Sequence, residues 1–170
     1  MSAAKVTQLR LRCADLFCGG GGSSIGWEAA GFNVVLGIDT NAGARRCFAK
    51  NHPGATVRGI SVSDTKACVA ALRKANVHVA TVSAPCQGFS SAGHQRASDP
   101  RSDLTRAAAL VFCAVRTPIV VFENVPQAES SPQWAAAVAL LQAKDYTIST
   151  ATVDACNFGC AQRRVRFFAV

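Results

Sequence analysis

The sequence lacks several features that would each define a class of protein. It has no Cys-x-x-Cys pair, and none of its three histidines lies near Cys156 and Cys160, which disfavours a zinc site or a thiol redox protein. No apolar run is long enough to cross a bilayer, and residues 1–12 contain no apolar signal core. Internal repeats and low-complexity tracts are also missing. We therefore expect a soluble intracellular protein without a membrane segment or a bound metal.

The residues that are present indicate one globular domain with an anionic partner. The 170 residues are 49% hydrophobic, which is enough for a single domain with a sizeable core. Eighteen basic residues against ten acidic ones give a net charge of +8, and this favours a polyanion such as nucleic acid. Most of the eight cysteines are interpreted as small buried hydrophobic residues in a reducing compartment.

Short apolar runs alternate with helix-like stretches along the chain. This alternation is typical of βαβ units and a parallel sheet, so the predicted fold class is α/β. The last two strands have no helix between them and are predicted to pair antiparallel at one end of the sheet. The predicted strands cover 12–17, 32–38, 55–60, 77–82, 119–122, 146–153 and 165–170, and the predicted helices cover 23–30, 41–50, 64–75, 104–115 and 134–142.

A glycine-rich motif follows the first predicted strand and precedes a helix. Its sequence, DLFCGGGG, runs from Asp15 to Gly22 and allows a tight turn that brings a ligand close to backbone N–H groups. Asp39 ends the second strand, a position suited to accepting hydrogen bonds from a ribose. Together they predict a nucleoside cofactor at the carboxyl edge of the sheet. The spacing is not GxGxxG, which disfavours a dinucleotide site.

A cysteine opens a long polar loop at the end of the fourth predicted strand. The motif PCQGFS begins at Pro85, and Cys86 stands where a side chain can react. A buried structural cysteine is the usual alternative. The loop that follows, from Gly88 to Arg101, is rich in glycine, serine and arginine, and loops of this kind are often lids. The loop favours a functional cysteine over a structural one.

Two further motifs place polar groups at the same edge. Glu123 ends the fifth predicted strand and can donate a proton to a ring nitrogen. Strand alternation puts Arg164 and Arg166 on one face, where they can hold a carbonyl oxygen, a carboxylate or phosphates. Each motif alone has an ordinary structural explanation. Because all of them lie at strand ends on one edge or on the adjacent hairpin, we predict a single site.

Taken in chain order, these motifs resemble the cytosine-C5 DNA methyltransferase family. The resemblance rests on DLFCGGGG, PCQGFS, FENV and AQRRVRF, together with the segment Asp99–Leu104, and it runs from about Cys13 to Val170. It implies a Rossmann-like class I methyltransferase sheet and S-adenosylmethionine as the cofactor. It also implies DNA with a flipped cytosine as the partner, and hence a location in the nucleus or nucleoid.

The resemblance also assigns roles to individual residues. It implies that Cys86 attacks C6 of cytosine, that Glu123 holds N3 and the exocyclic amine, and that Arg166 with Arg164 contacts O2 and the glutamate. Asn124 is expected to order the segment at Pro85. The implied catalytic residues are Cys86, Glu123, Arg164 and Arg166. The implied cofactor-binding residues are Asp15, Phe17, Gly19, Gly21, Asp39 and Pro85. Among these, Phe17 packs on the adenine and Asp39 binds the ribose.

The chain departs from the family pattern at several positions. Ala84 and Ala161 replace prolines, Asp39 replaces a longer glutamate, and the region after the third strand, around Gly59, has no acidic residue until Asp64. The family's target-recognition domain and its final segment, which packs on the sheet and completes the cofactor pocket, are absent from residues 1–170. We therefore expect a single catalytic domain that is a fragment, half of a split enzyme with a second chain, or a degenerate copy.

Two alternative functions stay open at this point. An RNA cytosine-C5 methyltransferase acting on tRNA would use the same motifs. The motifs barely separate the two functions, because the surface that distinguishes DNA from RNA lies in the absent part. A catalytically silent subunit would keep only the fold. Retention of Cys86, Glu123, Arg164 and Arg166 argues against the silent subunit, and the short length argues for it.

Overall fold

A seven-stranded sheet forms the centre of the molecule in a computed structural model that describes residues 10–85 and 104–170. The strand order is β3-β2-β1-β4-β5-β7-β6. Cys86 and the predicted lid loop lie outside the described residues. The strands are β1 Arg12–Leu16, β2 Asn33–Ile38, β3 Thr56–Arg58, β4 Val79–Val82, β5 Ile119–Asn124, β6 Thr150–Asp154 and β7 Val165–Ala169. The helices are α1 Gly22–Ala29, α2 Ala42–Asn51, α3 Thr65–Lys74, α4 Leu104–Val115 and α5 Pro132–Gln142.

The pairing of the strands confirms the predicted α/β class and the Rossmann-like sheet. Strands β1 to β5 are joined by parallel pairs, whereas β7 is antiparallel to both β5 and β6. The predicted start of β6 at residue 146 is wrong, because Tyr146 is bound elsewhere. Its hydroxyl donates a hydrogen bond to the carbonyl of Thr117 at 2.7 Å, and regular strand pairing begins only at Thr150.

The helices cover the two faces of the sheet unequally. Helices α3, α4 and α5 pack against one face and form the larger core, which includes Leu72, Phe112 and Leu141. On the other face a smaller core joins β1, β2 and β4 to α1 and α2 through Phe48 and Trp27. Beyond α1, no helix in the described part of the chain covers β5, β7 and β6 on this second face. No helix within the described ranges is long and apolar enough to cross a membrane.

A row of aromatic rings connects the larger core to β7. The rings of Phe112, Phe122, Trp134 and Phe167 meet edge to face, with centroids 5.8, 5.4 and 5.3 Å apart in that order. Edge-to-face contacts add to the free energy gained by burying the rings. The row fixes β7 against β5 and α5. It thereby determines the position of the arginine hairpin, which is formed by β6 and β7 and carries Arg163, Arg164 and Arg166.

Close packing against Gly37 sets the position of α2. A Cβ atom on Gly37 would lie 2.7 Å from two ring carbons of Phe48 and 3.0 Å from Sγ of Cys18. Phe48 is completely buried and Cys18 is buried, so neither can move easily. The missing side chain lets α2 lie close to β2.

Gly37→Ala is expected to reduce the free energy of unfolding by about 1–3 kcal/mol, because the added methyl overpacks a closed part of the core. Urea denaturation followed by circular dichroism measures the loss. Gly54→Ala is the matched control, since its Cβ would meet nothing within 4 Å. Equal stabilities for the two variants would contradict the proposed packing of α2.

Candidate active site

The glycine-rich motif forms the turn that joins β1 to α1. Phe17, Gly19 and Gly21 all have positive φ angles, of 61°, 53° and 92°. This region of backbone conformation favours glycine, and a bulky residue such as Phe17 adopts it rarely. The N–H of Gly21 donates to the carbonyl of Cys18 at 2.8 Å, and Gly22 begins α1. The start of α1 therefore faces the carboxyl edge of the sheet, as the motif predicted.

A cavity of about 780 Å³ lies beside this turn, on the open part of the second face. Asp15 and Phe17 line it from the turn, and Glu123, Arg164 and Arg166 line it from β5 and the hairpin. The structure therefore brings five of the predicted site residues to one cavity. Gly19, Gly21, Asp39 and Pro85 do not line it, although the first three form or support the turn next to it.

Asp15 is a buried carboxylate with one free oxygen. Its side chain is 1% exposed, and Ser24 donates a hydrogen bond to Oδ2 at 2.7 Å. Oδ1 has no hydrogen-bond partner within residues 10–85 and 104–170. Burial raises the pKa of Asp15 to about 6. An unpaired buried carboxylate oxygen that lines a cavity fits a cationic or hydrogen-donating ligand group.

Asp39 supports the turn from the end of β2. Its Oδ2 accepts a hydrogen bond from the N–H of Gly19 at 3.0 Å, and its Oδ1 accepts one from the N–H of Asn41 at 2.8 Å. Both carboxylate oxygens of Asp39 thus accept hydrogen bonds from backbone N–H groups, a role that the sequence did not indicate. A carboxylate can accept further hydrogen bonds at each oxygen, so the ribose contact of Asp39 stays a prediction.

Glu123 and Arg166 form an ion pair inside the cavity. Nε of Arg166 lies 3.0 Å from Oε1 of Glu123, and the two side chains are 24% and 22% exposed. Glu123 is opposite Phe168 on β7, so Arg166 is its diagonal neighbour on the same face. The N–H of Arg164 donates to Oδ1 of Asp154 at 2.8 Å, which lowers the pKa of Asp154 and closes the hairpin.

Asn124 connects β5 to the segment that ends at Pro85. Its Nδ2 donates to the carbonyl of Ala84 at 3.2 Å, and its Oδ1 accepts from the N–H of Val125 at 2.8 Å. Asn124 is buried, so both contacts are shielded from water. The side chain therefore positions the backbone directly before Cys86, as the resemblance implied.

Comparison with known proteins now identifies the family. The family model of the C-5 cytosine-specific DNA methylase matches residues 11–170. The chain belongs to this family. Among curated relatives, Type II methyltransferase M.HindV of Haemophilus influenzae is 33% identical over 159 residues, covering 92% of this chain and 51% of that protein. M.HgiDI of Herpetosiphon aurantiacus is 30% identical over 162 residues, covering 94% and 52%.

Solved structures of related proteins share the fold. A protein encoded within an E. coli prophage and described as a DNA modification methyltransferase superposes with a TM-score of 0.79 at 26% identity, covering 94% of this chain and 45% of that one. The S. pombe Dnmt2 methyltransferase superposes with a TM-score of 0.75 at 22% identity, covering 94% and 48%. The chain spans about half the length of M.HindV and of M.HgiDI.

Three residues contact the site region without having been predicted. Asn51 and His52, which follow the predicted helix at 41–50, reach the glycine turn. Arg45 donates to the carbonyls of Asp39 and Thr40, and its guanidinium lies beside Gly59. No local pattern marks these residues, because their contacts depend on how α2 packs.

The cysteines described next to the turn are poor nucleophiles. Cys18 lines the cavity, and burial raises its pKa to about 12, with the nearby carboxylates adding to the effect. Burial likewise raises the pKa of Cys13 to about 12. Both therefore stay protonated at neutral pH, whereas the thiolate is the reactive form. Across 10–85 and 104–170, no cluster of three or more His, Cys, Asp or Glu side chains is arranged to hold a metal ion.

Asp15→Asn is expected to change how stability depends on pH. The pKa of Asp15 is about 6 in the folded chain and 3.8 in the reference state, so the folded state binds the proton more tightly. Stability should therefore fall by about 3 kcal/mol as the pH rises from about 4 to about 6. The variant removes this fall, which urea denaturation across that pH range measures.

The exposed carboxylate of Asp145 supplies the control for this measurement, since Asp145→Asn makes the same chemical change at the surface. Its pH profile should follow that of the wild type. A wild-type profile that runs parallel to that of Asp15→Asn from pH 4 to pH 6 would show that Asp15 carries no burial penalty.

Proposed function

We propose that the protein methylates C5 of cytosine in DNA, with S-adenosylmethionine as methyl donor and Cys86 as nucleophile. The observation that carries the proposal is the Glu123–Arg166 ion pair, which faces the same cavity as Asp15 and the glycine turn. One wall offers groups suited to a nucleoside cofactor, and the other offers groups suited to a polar ring. Membership of the C-5 cytosine-specific DNA methylase family supports this pairing of ligands.

The residues around the turn fit the chemistry of S-adenosylmethionine, which supplies a methyl group on a sulfonium centre. The free Oδ1 of Asp15 suits its ammonium group, and the N–H groups at the start of α1 suit its carboxylate. Phe17 offers an aromatic face to the adenine. Gly19 and Gly21 shape the turn, Asp39 lies at its side for the ribose, and Pro85 directly precedes the nucleophile in the sequence.

Covalent catalysis solves the chemical problem, because C5 of cytosine is a poor nucleophile. The thiolate of Cys86 forms a bond to C6, and C5 becomes enamine-like and able to take the methyl group. Loss of the proton from C5 and breakage of the C6–S bond then release the product. Buried thiols such as Cys18 cannot easily supply the thiolate, which favours Cys86 for this role.

Glu123 holds the target base during this reaction. The ion pair with Arg166 engages Oε1, so Oε2 is the oxygen directed to N3 and the exocyclic amine. With a proton on Oε2, Glu123 donates a hydrogen bond to N3, and this bond stabilises the negative charge that develops in the ring as the thiolate adds. Arg166 orients the glutamate and, together with Arg164, contacts O2. Asn124 orders the backbone before Cys86 through the carbonyl of Ala84.

DNA is the proposed partner, and the base must leave the duplex to reach the cavity. The net charge of +8 and the exposed arginines of the hairpin favour contacts with phosphates. M.HindV and M.HgiDI are each about twice as long as the region that this chain matches. We propose that sequence recognition comes from further polypeptide, in the same chain or in a second one, that also covers the open part of the sheet.

A completed enzyme is expected to form a covalent adduct with DNA that carries 5-fluorocytosine, because fluorine at C5 blocks the elimination that releases the enzyme. Cys86→Ser should abolish the adduct, as seen on a denaturing gel. Cys18→Ser and Cys156→Ser are the controls and should keep it. Trapping by the Cys86→Ser protein would refute the assignment, and preferential trapping of tRNA would replace DNA by RNA as substrate.

Glu123→Gln is expected to lower kcat by roughly 10²–10⁴-fold, because the hydrogen bond to N3 matters most in the transition state. DNA affinity, measured by fluorescence anisotropy, should stay nearly unchanged. Glu129→Gln makes the same change on an exposed residue a few positions away and serves as the control. A Glu123→Gln enzyme that turns over at the wild-type rate would exclude Glu123 from the chemistry.

A further inference from the structure

Side chains from the end of α2 hold the peptide groups of the glycine turn. Nδ2 of Asn51 donates a hydrogen bond to the carbonyl of Gly20 at 2.7 Å. Nε2 of His52 lies 3.0 Å from the carbonyl oxygen of Gly21. A carbonyl oxygen only accepts, so Nε2 must carry the hydrogen in this contact. Two consecutive carbonyls of the turn are thus contacted by two consecutive side chains that are distant in sequence.

The ring of His52 has little freedom to move. It is 1% exposed, and it packs against the ring of Phe48 with centroids 4.7 Å apart. Its second nitrogen, Nδ1, lies 3.1 Å from Oε2 of Glu28 on α1. A Cβ atom on Gly21 would lie 2.2 Å from Nε2, so the imidazole occupies the space that a side chain at position 21 would need. The glycine and the histidine therefore fit each other.

The fixed carbonyls determine where the next N–H groups point. A trans peptide unit is planar, and its C=O and N–H point in opposite directions. The carbonyl of Gly21 also accepts a hydrogen bond from the N–H of Ile25 in α1 at 3.0 Å. His52 and the first turn of α1 therefore hold this peptide plane together, and the N–H of Gly22 points away from α2. Gly22 is the first residue of α1 and lines the cavity. The first N–H groups of a helix have no partner within the helix and are available to an anionic ligand group.

We propose that Asn51 and His52 are positioning residues for the cofactor. Together with the first hydrogen bond of α1, they hold the peptide planes of the glycine turn, so that the N–H groups at the start of α1 face the cavity before the cofactor binds. This inference rests on the proposed function, because it assumes that the cavity takes S-adenosylmethionine. Preorganisation of this kind raises affinity by removing the cost of ordering the turn on binding.

Asn51→Asp tests the first contact in the full-length protein. The change is nearly isosteric, but it replaces a donor by an acceptor opposite the carbonyl of Gly20. Asn51 is exposed, so the variant should fold. We expect about tenfold weaker binding of S-adenosylhomocysteine by calorimetry. The KM for the cofactor should rise while kcat at saturating cofactor changes little. Asn33→Asp, the same change at the exposed start of β2, is the control.

A pair of substitutions tests the second contact. The amide nitrogen of glutamine in His52→Gln can take the place of Nε2, whereas that of asparagine in His52→Asn takes the place of Nδ1. We therefore expect His52→Gln to keep most of the cofactor affinity and His52→Asn to lose about tenfold. Thermal unfolding of both variants measures their loss of stability. If His52 had a purely structural role, the variants would differ from the wild type in stability alone.

The amide resonance of Gly22 reports on the turn without any ligand. In ¹⁵N-labelled protein it should shift in Asn51→Asp and His52→Asn and stay in place in Asn33→Asp. Unchanged resonances and unchanged cofactor affinity in both variants would overturn the positioning role and leave the proposed function standing. A wild-type protein that binds no S-adenosylhomocysteine would instead overturn the proposed function, and the cofactor role of Asn51 and His52 with it.

Discussion

The ion pair between Glu123 and Arg166 exists only because β7 runs antiparallel beside β5. A parallel strand at that position would carry its polar end to the opposite edge of the sheet. The antiparallel direction instead brings the start of β7 to the carboxyl end of β5, where Arg166 reaches Glu123 across 3.0 Å. The row of aromatic rings that includes Phe122 and Phe167 holds this arrangement in place from the other face of the sheet.

The half of the site around the glycine turn depends on side chains of α2 that pack closely against two glycines. Phe48 packs where Gly37 has no side chain, and this brings α2 near β2. His52, one helical turn further on, packs where Gly21 has no side chain. Helix α2 is thereby wedged between the sheet and the glycine turn. The cofactor half of the cavity thus depends on steric fit, whereas the half around Glu123 depends on strand direction and charge.

Sequence patterns predicted the parts of the site that follow from local rules. Carboxyl ends of parallel strands share one edge, so Asp15, Phe17 and Glu123 could be placed together from their positions after apolar runs. Alternation along β7 likewise indicated where Arg166 lies. Asn51 and His52 could not be found, because their contacts with the turn span 31 residues and depend on the packing of α2. The predicted start of β6 was wrong for a similar reason, since the hydroxyl of Tyr146 donates hydrogen bonds to carbonyls that are distant in sequence.

The position of β7 also sets an order of events during synthesis. Strand β6 precedes β7 in the sequence, yet β7 is its neighbour in the sheet, so β6 has no place to pair until β7 has left the ribosome. The unit from β1 to β3 is made much earlier, and its strands pair with near neighbours in sequence. A nascent chain therefore assembles the glycine turn first and gains Arg166 opposite Glu123 late. Ligand present in the cell could meet one half of the site before the other half has formed.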